Sequence, residues 1–491
     1  MRKRFEQQTT LDAIPIPDVR IDMKSRDQFP KLLAGLLHIF ITPELNEAVF
    51  AILEEKILGE KKKTGRLGMS LWELFVLGTV RLNLNIDYDR LHDLSNNHQS
   101  LRGLMGVETR KVFEDGKYYE LQNLKDNLRL LDEQTLGRIN EVIVKAGHRL
   151  KKKEAGQNSE IIDLVLKSDT FAVESNVHFP TDLNLLWDCV RKCLDTIESL
   201  CEYIVLLGWR KLKSWYRNMK KLYRKCSNIH RKKGKNYASR LSSATTEYLK
   251  STRVLLDKIK LLLMEIDYSA NIMVEGLKIS LLSYKSYLEK FIDLVDRRIL
   301  QGEKIPHSDK IFSIFEPHVE WLAKGKEGKK VELGHNVLLT TDQYHFIVDH
   351  EVVIKQKDNA LVLPLALRLG KLFGDNQYNL ESISFDRGFY SGPVKKVLQG
   401  QFKQVIMPKP GKKNHEEENE EMQKSYEKLR RKHSAVESNI NELEHSGADK
   451  VRDKGLDGFK KYIACSVVAH NLKRLGRIVM EHKLLPPLTT G

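Results

Sequence analysis

Between Pro180 and Pro306 the chain carries no proline, and apolar residues recur there at helical spacing, as in Leu255, Ile259, Leu262, Leu263 and Ile266. This helical block separates two stretches with strand texture, so a sheet in this chain has to be assembled from segments on both sides of it. Before the block, residues 161–169 alternate, with Ile162, Leu164 and Leu166 on one face and Asp169 on the other at the far end. After it, strand character returns at 311–318 and at 331–341, where Val331, Leu333, Val337 and Leu339 alternate with polar partners. The run at 345–354 would complete a hairpin with the latter. A helix over 360–374 then leads to a further strand, in which Leu380, Ile383 and Phe385 deliver Asp386 to the strand's end before Gly388 and Gly392-Pro393 break the run. A helix at 393–400, a strand at 403–408 and helices at 422–445 and 456–481 close the chain. The acidic tract at 415–421 reads as a solvated helix start.

Upstream, residues 1–110 read as a small all-helical module. Amphipathic helices are expected over 29–41 and 44–58, followed by the basic linker Lys61-Lys62-Lys63. Two short helices around a turn at Asn85, covering 71–78 and 88–94, have the layout of a helix-turn-helix reader of DNA. A charged connecting helix spans 121–153. The domain plan is therefore a helical N-terminal DNA-binding domain (1–110), connecting helices (111–160), a sheet domain (161–182 with 307–481) and a helical insertion (183–306).

Composition narrows the partner. The 491 residues carry 82 Lys and Arg against 66 Asp and Glu, a formal charge of +16, which favours a polyanion, with nucleic acid first. Lys211, Lys213, Arg217, Lys220, Lys221 and Arg224 alternate with Trp209, Trp215, Tyr216 and Tyr223, a texture suited to following a phosphate backbone and stacking on bases. The five cysteines, Cys189, Cys193, Cys201, Cys226 and Cys465, form no CxxC pair and suit a reducing compartment. One-turn spacing of Cys189 with Cys193, and of Cys226 with His230, allows a zinc site to be drawn, but without knuckle spacing. No apolar run is long enough for a bilayer, and no apolar segment follows the charged N-terminus, so a cytoplasmic protein is expected.

An acid at a strand end is more often a turn former than a site. Its weight here comes from the acids that could join it. A strand with an acid, an insertion, a hairpin, a second acidic strand and then acid-bearing helices suggest a mixed sheet of the RNase H type, in an α/β (α+β) chain. In that architecture two strand-borne Asp face a helix-borne Glu, and the chemistry explains the residue types. Paired divalent ions activate an attacking oxygen and stabilise a leaving one, and hard Mg²⁺ or Mn²⁺ needs only carboxylates and water. On the helix at 434–444, Val436, Ile440 and Leu443 form the buried stripe, while Glu437, Asn441 and Glu444 share the next. Periodicity leaves Glu437 and Glu444 both open as the third acid. Asp182 and Asp342 are weaker rivals for the second, since neither sits so clearly at a strand end.

Taken in order, the chain resembles bacterial insertion-sequence transposases with a DDE active site, most closely the ISNCY group. The resemblance runs through MRKRFEQQ, KKKTGRLGMSLWELF, SDTFAVESNVHFPTD, EPHVEWLAKGKEGKKVELGHNV, ISFDRGFYS and HSAVESNINELEHSGADKVRDKGLDGF. It implies that Asp169, Asp386 and Glu437 are the catalytic, metal-holding acids, with two Mg²⁺ or Mn²⁺ ions as cofactor. It also implies double-stranded DNA, both terminal inverted repeats and target, as substrate, and a homo-oligomer, at least a dimer, on that DNA. Lys326, Lys330 and Arg387, close to the acids in sequence, become candidate phosphate contacts. A related group carries Tyr and Arg before the glutamate and Lys after it, where this chain has Arg430, His433 and Glu444. Functions special to that group are therefore not carried over. The alternative is a DNA-binding protein that keeps the fold without the catalysis.

Overall fold

The computed structural model describes residues 2–6, 13–22, 24–59, 68–108, 116–154, 161–266, 271–323 and 331–485. Lys61-Lys62-Lys63, Lys326 and Lys330 lie outside the described residues. The chain divides into two compact units, one of residues 1–176 and 322–491, the other of residues 177–321.

In the first unit, helices α1 (Gln28–Ile41), α2 (Pro43–Ile57), α3 (Leu71–Asn83), α4 (Tyr88–Asn97), α5 (Gln99–Leu104), α6 (Leu121–Leu128) and α7 (Glu133–Glu154) precede strand β1 (Ile162–Ser175). The second unit holds α8 (Asp182–Leu200), α9 (Leu212–Lys232), α10 (Tyr237–Glu265) and α11 (Ile272–Val295). The chain continues through β2 (Glu320–Ala323), β3 (Val331–Thr341), β4 (Ile347–Val353), α12 (Asp358–Phe373), β5 (Tyr378–Phe385), α13 (Gly392–Gln399) and β6 (Gln404–Ile406). It ends in α14 (His415–Met422), α15 (Lys424–His433), α16 (Ala435–Leu443), β7 (Lys450–Val451) and α17 (Gly455–Glu481).

The seven strands form one mixed sheet in the order β2-β3-β1-β5-β6, with β4 also on β3 and β7 also on β1. β1 runs antiparallel to β3 and parallel to β5, and β5 runs parallel to β6. The expected hairpin is β3–β4. Its turn is built by Asp342, whose Oδ1 accepts from the N–H groups of Tyr344 and Phe346 at 2.7 and 2.9 Å. His148 Nε2 meets the other Asp342 oxygen at 2.5 Å. That rival acid is thus fully occupied by structure.

Several details differ from the sequence pattern, among them the helix expected over 422–445, which is broken at Ser434 into α15 and α16. No strand forms at 311–318, because Ser313 Oγ accepts from the N–H groups of Phe315 and Glu316 and turns the backbone locally. β1 continues six residues past Asp169, because Phe171, Val173 and Ser175, on the face that carries Asp169, are buried in their turn, so the acid is mid-strand rather than terminal. The connecting helix expected over 121–153 is two helices, α6 and α7.

The N-terminal helices belong to the same compact unit as the sheet because α1, α3 and α7 all pack on α17. Buried Asn471 of α17 accepts from the Ile347 N–H at 2.9 Å and donates to Asn140 of α7 at 2.7 Å, tying both helices to β4. The residues expected to form the insertion, 183–306, all fall in the second unit, whose core is lined by Leu186, Val190, Tyr248, Ile259, Leu281 and Phe291.

Candidate active site

Parallel pairing sets Ser168 of β1 opposite Phe385 of β5, so one further step along both strands puts Asp169 abreast of Asp386. Glu437 comes from the first turn of α16, which packs on β1 and β3. Its helix is held at both sides. Asn439 Oδ1 meets His345 Nδ1 at 3.2 Å, and Glu442 accepts from Lys473 of α17 at 2.6 Å. Val436, Ile440 and Leu443 are buried as the helical stripe requires, which leaves Glu437 exposed. Glu444 lies in the π-helical turn (Glu444–Ala448) that ends the helix.

The electrostatics join these residues. Burial and, beyond it, the charges of Asp386, Asp358 and Glu437 push the Asp169 carboxyl up to about 6, against a single opposing hydrogen bond from the Thr170 N–H at 2.7 Å. Asp358 is an acid that the sequence did not single out. It opens α12, accepts from Thr170 Oγ1 at 3.2 Å, and is itself raised by burial and by Asp386. In sequence it cannot be told from any acid at a helix start. His433 ends α15 with Nδ1 3.0 Å from Ser384 Oγ, and burial lowers its pKa although Asp386 and Glu437 pull the other way.

Among the described residues no group of three or more His, Cys, Asp or Glu side chains is drawn together tightly enough to hold an ion as it stands. Neighbouring carboxylates repel one another until a cation joins them. The donor set, oxygens alone from Asp169, Asp386 and Glu437, fits Mg²⁺ or Mn²⁺ rather than zinc. The cysteines offer nothing comparable, since burial pushes the Cys193 thiol up to about 12 and the Cys189 thiol up as well. Asp182 is ion-paired to Arg298 at 2.5 Å at the head of α8.

Asp169 also sets a stability prediction. Its folded-state pKa is raised, so its contribution is fully present below about pH 4 and is lost as pH rises through about 6. By the linkage relation the charged form costs about 2–3 kcal/mol at pH 8. Asp169→Asn is therefore expected to be more stable than wild type at pH 8 in chelator and equal to it at pH 4. Urea denaturation at both pH values reads this directly. Equal stability at pH 8 would mean that the acids do not share a field.

The basic residues fall in different places. Arg387 is exposed next to Asp386. Lys213, Arg217, Lys220, Lys221 and Arg224 lie on α9 and Lys211 at its head, in the second unit. All are exposed except Lys220, which is half-buried over the Tyr216 ring. The aromatics between them are partly taken up by packing within the unit. Tyr223 stacks on Trp187 at 5.5 Å, Tyr216 packs edge-on to the same ring, and Trp209 is buried beneath Lys258. At the expected helix-turn-helix, α3 is buried along its length. α4 presents Asp89 and Asp93 beside Arg90, which Asp93 holds at 2.5 Å, so that surface offers a phosphate less than α9 does.

No family model, no curated protein and no solved structure matches the chain. Among the described residues no single helix is long and apolar enough to cross a membrane.

Proposed function

We propose that the chain is a DDE-type DNA transposase, a polynucleotidyl transferase acting on the terminal inverted repeats of an insertion sequence. The observation that carries this reading is the shared field at Asp169. Carboxylates from the end of β5, the head of α12 and α16, remote in sequence, all add to the burial that raises Asp169 of β1, which the sheet register sets abreast of Asp386. A further support is the strand order β4-β3-β1-β5-β6, with β3 antiparallel and β5 and β6 parallel to β1, which suits an RNase H-like core.

In this reading Asp169, Asp386 and Glu437 would hold two Mg²⁺ or Mn²⁺ ions, which would supply Lewis-acid stabilisation to the attacking and leaving oxygens. Asp169 and Asp386 are placed by the sheet register, and Glu437 by the two ties on α16, so the backbone segments that carry the carboxylates are positioned before substrate arrives. Arg387 places a positive charge beside Asp386 for a backbone phosphate. The Lys and Arg residues of α9 supply binding energy without base specificity. Joining two element ends calls for at least a dimer on DNA.

The test uses the full chain with linear DNA carrying the two sequences that flank its gene. Nicks at the repeat boundaries that leave 3′-OH ends, followed by joined products, are expected with Mg²⁺ or Mn²⁺ and not with chelator. DNA bound but uncut in either metal would replace this reading with that of a DNA-binding protein without catalysis.

A further inference from the structure

Helix α14 has no apolar anchor. Its only apolar residue, Met422, is 76% exposed, and the rest of its sequence is His, Asn and five acids. Charge holds it instead. Glu417, Glu420 and Glu421 share one face, at i, i+3 and i+4, and are half-buried there, whereas Glu418 is exposed. Glu417 accepts from Lys409 at 2.8 Å and from the Tyr390 hydroxyl at 3.2 Å. Glu420 accepts from Lys395 at 2.6 Å, and Glu421 from Lys413 at 2.6 Å. Lys395 comes from α13, and Lys409 and Lys413 from the segment between β6 and α14, so separate pieces of chain turn positive charge toward this one face.

The cluster adjoins the candidate acids. Asp386 is followed at once by the short turn that leads to Tyr390, and then by α13 with Lys395. Glu421 also lies 3.4 Å from Arg430, one turn before His433 on α15, and His433 is within the field of Asp386 and Glu437. Lysines gathered beside such acids make a surface for backbone phosphates. The carboxylates of α14 stand where those phosphates would lie. Solvent-accessible ion pairs contribute little net stability and weaken in salt, so a polyanion can take the place of a helix held only by them.

We propose that Lys395, Lys409 and Lys413 form a DNA phosphate site that α14 occupies in the free protein, and that DNA enters by displacing this helix. The inference rests on the reading of the chain as a DNA-binding protein, and not on its catalysis. The experiment titrates the full chain with a fluorescently labelled duplex, comparing wild type with the triple variant Glu417→Gln, Glu420→Gln, Glu421→Gln. Gln at 417 can still complete the capping box with Asn414. The variant is expected to bind roughly tenfold more tightly, because phosphates no longer compete with carboxylates for the lysines. Adding Lys395→Gln, Lys409→Gln and Lys413→Gln is expected to remove the whole gain. The control Glu418→Gln, Glu427→Gln, Glu481→Gln alters net charge equally at exposed positions of the same unit and should gain at most about twofold. An equal gain in the control, or a gain that survives loss of the lysines, overturns the proposal. A triple Glu→Gln variant that is less stable in urea and binds no more tightly also overturns it, leaving α14 as a structural brace. If no form binds DNA, the DNA-binding reading falls and the proposal with it. If wild type binds and removing the three acids changes nothing, the proposal falls alone.

Discussion

Asp386→Asn is expected to lower DNA cleavage by roughly a thousandfold or more while leaving the fold and DNA binding intact. Charge stabilisation by a divalent ion is worth several kcal/mol in a phosphoryl displacement, and each 1.4 kcal/mol is a decade in rate. Asp386 is exposed and follows the last residue of β5, so the isosteric amide disturbs no packing. Asp169→Asn and Glu437→Gln are expected to fall as far. Glu444→Gln is the discriminating control, because periodicity alone could not separate it from Glu437. Glu437 adds to the field on both Asp169 and His433, and Glu444→Gln should cleave within a few-fold of wild type. Asp358→Asn is expected to sit between, at roughly tenfold, as an outer partner of the acids does. Single-turnover cleavage of end-labelled repeat DNA, with circular dichroism of each variant, measures all five. If Glu437→Gln cleaves like wild type and Glu444→Gln does not, the third acid has been assigned to the wrong end of α16.

The parts of this site legible in sequence were those set by period. Alternation put Asp169 on the face opposite Ile162, Leu164 and Leu166, and the glycine break after Phe385 marked where Asp386 stands. The stripe of Val436, Ile440 and Leu443 left Glu437 facing outward. What could not be read depends on contacts between distant segments. Asp358 looks like a helix-capping acid until the start of α12 is brought beside Thr170, 188 residues away in sequence. That Tyr216 and Tyr223 of α9 pack on Trp187 of α8 is likewise a contact between distant segments. The strand expected at 311–318 had the right composition, but a serine hydroxyl competes for its backbone N–H groups, and alternation carries no information about that.

Gly476→Ala is expected to be among the most damaging single substitutions away from the acids, costing about 3–5 kcal/mol of stability. α1 and α17 cross at closest approach through Gly35 and Gly476. A Cβ on residue 476 would lie 1.8 Å from the Lys31 carbonyl oxygen and 2.6 Å from the Gly35 nitrogen, and one on residue 35 would lie 2.1 Å from the Leu472 carbonyl oxygen. These are backbone atoms of helices, so no rotamer change relieves the contact and the helices must separate. Separation opens the core between Leu32, Leu36 and Ile39 of α1 and Leu472, Leu475 and Val479 of α17, all at most 2% exposed. Gly137→Ala is the matched control: it is also within a helix, nothing lies within 4 Å of its Cβ, and it should gain up to about 1 kcal/mol in helix propensity. The consequence reaches the acids. α17 holds Glu442 of α16 through Lys473 and β4 through Asn471, so loosening α17 frees the helix that carries Glu437. Below its own melting temperature Gly476→Ala should therefore cleave more slowly than wild type, with Asp169 and Asp386 still in register. Urea denaturation and single-turnover cleavage on the same preparations test both halves. A Gly476→Ala protein as stable as Gly137→Ala would show that the two helices do not meet at these glycines.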